Sequence, residues 1–535
     1  MRCRSSNAIG FIVLGFVALG CGSGRVDENG ATPDGPDASA DAPDAASIDA
    51  DVTDHAPDLC GRTQVDRHPA LLLVIDGLRP DYVTPELMPN LHALGERGVV
   101  GERSFAVYPT VTRANAPSIS TGSYPRRHGI LHNGLYMPEV ADEPFSTGSA
   151  ARLRELDAAT GGEMLTTRSM GEILDEAGLT FFATGSGGSG NTLLQNHRGS
   201  GRGIWTARGF FVPSSARDEA VAAVGELPDE NADMTVWSFS SYLHHAIERE
   251  PPDASIMWIN EPDANGHAHG VGAPETLAAV ANVDQQIGRI LAAHEAAGHE
   301  ANVFVTSDHG FTTSTGGYSL PRILADAGLD GGTEVVSQAM IYLDASAQGR
   351  LEEIVDVLRG HDAVGSIYTR PGPDGGGLVP GTLSMEVIQW DHPRNPDILV
   401  AAAWNDDTNI HDRAGATTRG GTATHGSDSP YDLRIPLIAA GPDIKTGERS
   451  STPAGNVDFA PTLLYLQGLE PPQEMDGRVL CELLTGGPDP EQVHVHSQTH
   501  VTFANLGGGR RYRTELDTLQ VQATVYVAGA RTSRD

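Results

Sequence analysis

At 535 residues the chain is too long for a minimal domain, and with 39 % hydrophobic residues it can bury a large core. Its formal net charge of −34 at pH 7 argues against nucleic-acid binding through bulk electrostatics. Much of that charge is local to the N-terminal region.

The first 20 residues place Arg2 and Arg4 before an apolar run, Ala8 to Leu19, that ends in small residues. A short apolar run of this kind after basic residues reads as an export signal rather than a membrane span. Leu19-Gly20-Cys21 resembles a bacterial lipobox, with Ala18 where a leucine is usual, so Cys21 is the expected lipidation point. An ordinary signal peptide with an incidental cysteine, or an uncleaved anchor, is the alternative. Residues 21–65 are dominated by Asp, Ala, Pro and Ser, and from Gly22 to Asp58 Arg25 is the one Lys or Arg. Such a composition cannot bury a core and reads as an extended, self-repelling tether. The expected location is therefore exported and lipid-anchored to a bacterial membrane, on the outer membrane or the periplasmic face. Of four cysteines, Cys3 and Cys21 belong to this leader, which leaves Cys60 and Cys481 at the two ends of the folded region. In an oxidising compartment they are expected to pair, two free thiols being the alternative.

From about His68 the texture changes. Ala70–Ile75, Ser255–Ile259, Asn302–Thr306 and Ile435–Ala440 are nearly continuous apolar runs, as expected of strands covered on both faces. Helical patterns fall between them, over 88–97, 167–177, 234–248, 274–297, 351–359 and 458–467. Strands alternating with helices predict an α/β fold with a mainly parallel central sheet, as one large domain (residues 66–490) with loop insertions and no internal repeat. Residues 491–535 alternate on either side of Gly507-Gly-Gly-Arg-Arg511, which predicts a C-terminal β-hairpin extension. His494, His496 and His500 are read there as strand residues rather than a metal tract.

Three of the four apolar runs lead into an acidic residue. Asp76 follows Ile75, Asp263 closes Trp258-Ile-Asn-Glu-Pro-Asp, and Asp308-His309 follows Thr306-Ser307. Ligands in open α/β sheets sit beyond the carboxyl ends of the strands, so these carboxylates are expected to converge. Histidines accompany them: His267 four residues after Asp263 on a predicted turn, and His425 before the last strand. Asp and His are the ligand set of divalent metals, and two such ions suit an in-line displacement at phosphorus. Thr112, at an expected helix start, offers a hydroxyl that a cation and a helix dipole would activate. His244, His245, His294 and His299 fall on predicted helices and are read as ordinary.

The ordered set resembles the alkaline phosphatase superfamily, most closely its type I phosphodiesterase/nucleotide pyrophosphatase-like branch. The resemblance runs from Leu71 to Leu480. It includes Asp76-Gly-Leu-Arg-Pro-Asp81, Pro109-Thr-Val-Thr112, Thr121 to Gly129, Glu261 to His269, Ser307-Asp-His-Gly310, Asp458 to Leu464 and Met475 to Leu480. It implies an alkaline-phosphatase-like three-layer α/β/α fold and two Zn2+ per chain. One ion would be held by Asp263, His267 and His425, the other by Asp76, Asp308 and His309, with Thr112 as both nucleophile and ligand. Asn133 matches an asparagine that contacts a nonbridging phosphoryl oxygen, and His128 and His269 are read as structural. The implied chemistry is a double displacement through a threonine phospho-enzyme, on phosphodiester or pyrophosphate bonds of a small phosphoester or nucleotide-like substrate.

Two departures bear on the substrate. The position after the nucleophile, usually aromatic in nucleotide-cleaving members, is Arg113, a candidate substrate contact. The Lys-x-Arg pair of threonine-type monoesterases has no clear counterpart in Gly185 to Asn191, with His197, Arg198 and Arg202 as weak substitutes. A phosphomonoesterase or phosphonate hydrolase is thus the alternative on the same site, and a non-catalytic surface-binding lipoprotein is the rival from another class.

Overall fold

The computed structural model describes Cys60 and residues 67–535. The expected signal peptide, the Cys21 lipidation point and nearly all of the tether lie outside the described residues.

The run Ala70–Ile75 forms the middle of a ten-stranded sheet, flanked by parallel partners Ala254–Ile259 and Asn302–Thr306. Phe181–Gly185 and Gly203–Thr206 continue the parallel array on one side. All six residues of the central strand are buried, and they alternate between two cores. Leu72 and Val74 face one cluster, with Ile119, Leu463 and Leu464; Leu71, Leu73 and Ile75 face another, with Leu91, Val283 and Ile287. A strand covered on both faces has no solvent side on which to place polar residues, which is why these runs read as continuously apolar. The helices over those faces, including Pro274–Ala297 on one and Thr112–Thr121 and Phe459–Leu466 on the other, make three layers.

The strand Arg434–Ala440 departs from the parallel expectation: it runs antiparallel to Asn302–Thr306. The reason is topological. Between these strands the chain builds a separate five-stranded sheet with helices Leu320–Asp326 and Leu351–Gly360 around its own core. It leaves and re-enters at the same edge of the main sheet, so the returning strand must run backwards. Residues just before Arg434 are thereby delivered to the edge where Ile75 and Thr306 end.

The C-terminal region is a three-stranded antiparallel meander, His496–Gly507, Arg510–Val521 and Thr524–Arg534, rather than the expected hairpin. The segment 518–527, expected as one strand, contains a second turn at Gln522, whose φ of 54° is left-handed. The meander belongs to the main core through Leu516, Val521 and Tyr526. Tyr526 Oη donates to Asp458 Oδ2 at 2.8 Å and accepts from Arg478 Nε at 3.1 Å. A disulfide joins Cys60 to Cys481, with Cα atoms 5.1 Å apart.

Candidate active site

Each acidic residue reaches the site from a strand end. Asp76 and Asp308 are fully buried. Asp263 opens a helix, Asp263–His269, where a turn was expected; on a helix the i and i+4 positions share a face, so Asp263 Oδ1 lies 3.3 Å from His267 Nε2. Asp263 Oδ1 is also 3.5 Å from His425 Nε2. On the other side His309 Nε2 lies 3.2 Å from Asp308 Oδ2 and 3.4 Å from Asp76 Oδ1. The rings of His309 and His425 stack with centroids 3.5 Å apart, which unites the two halves.

The three imidazoles share one arrangement. Nδ1 of His267 donates to the Ala423 carbonyl (3.0 Å), that of His309 to Gly310 (2.9 Å) and that of His425 to Thr110 (2.7 Å). A carbonyl can only accept, so the proton of the neutral ring is fixed on Nδ1 and each Nε2 presents a lone pair inward. Facing those lone pairs, Asp76 Oδ1, Asp263 Oδ1 and Asp308 Oδ2 are buried without a hydrogen-bond partner. Acceptors converging on acceptors is an unstable packing unless a cation lies between them. The residues therefore fit divalent metal, in two groups that share Asp263: Asp263, His267 and His425, and Asp76, Asp263 and His309. Asp308 joins the second group through its contact with His309.

The electrostatics agree. Burial, then repulsion from Asp308 and Asp263, pushes the Asp76 carboxyl well above the usual carboxylate range. Burial also raises Asp308. The His425 imidazole is driven well below its ordinary value by burial and by the neighbouring His309 and His267. Burial alone would lower His267, but the adjacent Asp263 carboxylate outweighs that and raises it.

Thr112 is the first residue of helix Thr112–Thr121, preceded by extended Val111, and its Oγ1 lies 3.5 Å from His309 Nε2. The turn that carries it is tied to the His425 loop. Thr110 Oγ1 donates to the Ser427 carbonyl (2.7 Å) and accepts from Gly426 N (3.1 Å), while its carbonyl holds His425. Asn133 Oδ1 accepts from the Arg113 backbone N–H at 3.1 Å, which commits its oxygen and leaves the NH2 group as the donor on its other side.

Other expected residues lie elsewhere. His128 is buried between Ser118 Oγ and the Ile130 backbone N–H, a structural role, and His269 is exposed. Arg198 pairs with Asp157 and Glu172, and Arg202 donates to the His245 carbonyl, so neither is a site cation. Sequence reasoning missed two contributors. Trp258 donates its Nε1–H to Asp76 Oδ2 at 2.9 Å, though in sequence it is one more apolar strand residue. Arg419 donates to the carbonyls of His425 (2.8 Å) and Ser337 (3.2 Å), bracing the His425 loop against the inserted sheet.

A family profile described as type I phosphodiesterase/nucleotide pyrophosphatase matches residues 70–428, more than half of the chain. The chain belongs to that family. Among relatives of this family protein, ectonucleotide pyrophosphatase/phosphodiesterase family member 1 of Rattus norvegicus is 29 % identical over 246 residues, 45 % of this chain but 24 % of the relative. The bis(5'-adenosyl)-triphosphatase enpp4 of Mus musculus is 25 % identical over 414 residues, 75 % of this chain and 78 % of its own. The chain thus spans about a quarter of the length of the first relative and most of the second. The fold is shared with murine ectonucleotide pyrophosphatase/phosphodiesterase 5 (TM-score 0.56, 18 % identity, covering 78 % of this chain and 100 % of that one). It is shared too with a variant of the alkaline phosphatase PafA (TM-score 0.61, 15 % identity, covering 79 % and 100 %).

Proposed function

We propose that the protein is an exported two-zinc phosphoester hydrolase that works through a Thr112 phospho-enzyme. The observation that carries this reading is the facing of three unpartnered carboxylate oxygens and three inward imidazole lone pairs, with a threonine hydroxyl beside them. Asp263, His267 and His425 would hold one ion, and Asp76, Asp308 and His309 the other. Bound zinc supplies Lewis acidity at the phosphoryl oxygens and favours the deprotonated form of Thr112.

The chain's own residues do the rest. Thr112 Oγ1 attacks phosphorus, at the positive end of its helix, and the leaving oxygen departs on the opposite side. The Asn133 amide donates to a nonbridging oxygen, where charge accumulates in the transition state. The backbone anchors on His267, His309 and His425 keep the ligand cage from reorganising between the two displacements. Water then attacks the phospho-threonine and restores the hydroxyl. The relatives' names point to nucleotide pyrophosphate or phosphodiester bonds, while Arg113 favours a more highly charged phosphate, the second reading developed below. The N-terminal leader and acidic segment support export and attachment to a membrane through Cys21.

The test is metal analysis of the purified protein beside a Thr112→Ala variant. Two equivalents of zinc and a loss of about 10³-fold or more in kcat are expected, in line with removal of a covalent nucleophile. Full activity in the variant would refute the mechanism.

A further inference from the structure

Arg113 follows the nucleophile directly, yet its side chain is only partly exposed. Its Nε is buried and has no hydrogen-bond partner. Among the described residues the guanidinium makes neither an ion pair nor a side-chain hydrogen bond. It lies in a cradle of two glycines: a Cβ on Gly148 would sit 3.2 Å from its Nη2, and one on Gly188 would sit 3.6 Å away. Neither glycine has a left-handed φ, so the missing side chains make room rather than permit a turn.

The cradle is firmly built. Gly190 N donates to the Gly148 carbonyl at 3.0 Å, and a Cβ at Gly190 would come within 2.2 Å of the Thr147 carbonyl. Thr147 N in turn donates to the Asn133 carbonyl at 3.2 Å. On the far side Ser186 is tied to the Trp258 carbonyl (2.9 Å) and to Asn260 N (2.9 Å). One wall of the cradle is therefore fixed to the Asn133 loop, the other to the strand that carries Trp258. Arg113 itself adjoins Thr112, and its backbone N–H donates to Asn133 Oδ1 at 3.1 Å, so the cradle lies beside the proposed nucleophile.

A partly desolvated guanidinium without a carboxylate is costly unless an anion arrives to meet it. We propose that Arg113, seated in this cradle, is the specificity-determining cation of the site and selects phosphomonoesters over phosphodiesters. The inference rests on Thr112 being the nucleophile. A monoester phosphate carries two charges near neutral pH and has three nonbridging oxygens, one more than a diester, for a guanidinium fork to meet. A diester carries one charge, and its second organic group finds a fixed cation where it would need an apolar surface. In the reaction the Thr112 Oγ1–P bond forms as the bond from phosphorus to the leaving oxygen breaks. The proton lost by the threonine hydroxyl ends on the leaving alcohol. Water then cleaves the Oγ1–P bond, giving inorganic phosphate and the free threonine.

The experiment compares kcat/KM on p-nitrophenyl phosphate and bis-p-nitrophenyl phosphate for the wild type, Arg113→Met, Arg113→Lys and Gly188→Val, each as zinc-loaded protein. The wild type is expected to favour the monoester. Arg113→Met is expected to lose about 100-fold on the monoester and less than about threefold on the diester, as for a removed charge-assisted contact. Gly188→Val, which crowds the cradle without touching the cluster, is expected to follow the same pattern, and Arg113→Lys to fall between. Inorganic phosphate is expected to inhibit Arg113→Met about tenfold more weakly while zinc content stays unchanged. Equal losses on both substrates, or a wild type that prefers the diester, overturn the assignment to Arg113. Thr112→Ala that retains activity on both overturns instead the nucleophile on which it rests.

Discussion

Replacing Trp258 with Phe tests whether the buried acids are arranged for a cation, through a residue that holds one of those acids without being a ligand itself. The indole Nε1–H is, among the described residues, the one N–H donor to the Asp76 carboxylate, at 2.9 Å, and Asp76 Oδ1 has no partner. A hydrogen bond to a charged acceptor contributes about 1.5–3 kcal/mol net. Without it the charged form of Asp76, already disfavoured by burial and by Asp308 and Asp263, becomes still harder to populate. A ligand must be deprotonated to bind, so affinity for the ion nearest Asp76 falls by about 10- to 100-fold, the usual range for the loss of such a supporting contact. Phe keeps most of the apolar volume, so the fold survives. The assay is a chelator titration followed by elemental analysis of retained zinc, run at two pH values. The expected result is loss of one equivalent at lower chelator concentration, with a larger defect at the lower pH because proton and metal compete for the same oxygen. Identical zinc retention at both pH values would refute the reasoning.

Two further predictions concern stability. Burial holds Asp428 at a pKa of about 6, against roughly 3.9 in an unfolded chain. Below both values the two states bind the proton equally. As pH rises from about 4 to 6 the unfolded chain releases it while the folded one retains it, so wild-type stability falls by roughly 3 kcal/mol across that window. Asp428→Asn lacks this titration, and the gain in its unfolding midpoint relative to the wild type should grow up to about pH 6 and then level off; a pH-independent difference contradicts the assignment. Tyr526→Phe removes a hydroxyl shared by buried Asp458 and Arg478 and is expected to cost about 1–3 kcal/mol in thermal unfolding. A loss below about 0.5 kcal/mol would mean that the C-terminal meander contributes little through this contact.

The parts of this protein that were legible in sequence are those in which one physical constraint acts alone. Strand Ala70–Ile75 is buried on both faces, so its composition reveals it, and the acids at its end and at the end of Asn302–Thr306 mark the reactive edge. Strand Val99–Phe105 lies in the same sheet yet reads Val-Val-Gly-Glu-Arg-Ser-Phe, because its middle is partly exposed and the burial signal is diluted. The histidine anchors were invisible for another reason: they are carbonyls of Ala423, Gly310 and Thr110, and a backbone acceptor carries no residue-type signature. Trp258 has the opposite difficulty. Its ring belongs to the core and its N–H to Asp76, and sequence shows only the first. The reversal of Arg434–Ala440 follows from where a long insertion leaves and returns, which no local pattern encodes.

The last strand has a consequence for when this site can exist. Ala530 N donates to the Asp428 carbonyl at 2.9 Å, three residues after His425, and the Ala530 carbonyl accepts from Trp404 Nε1 at 2.7 Å. A nascent chain that has passed His425 possesses every candidate ligand but lacks the strand that clamps their loop. Contacts so distant in sequence form late, after the local ones. If the cluster holds cations as proposed, their capture waits for the strand Thr524–Arg534, and a chain cut before Thr524 is expected to lose metal and activity together rather than keep a weakened form of both.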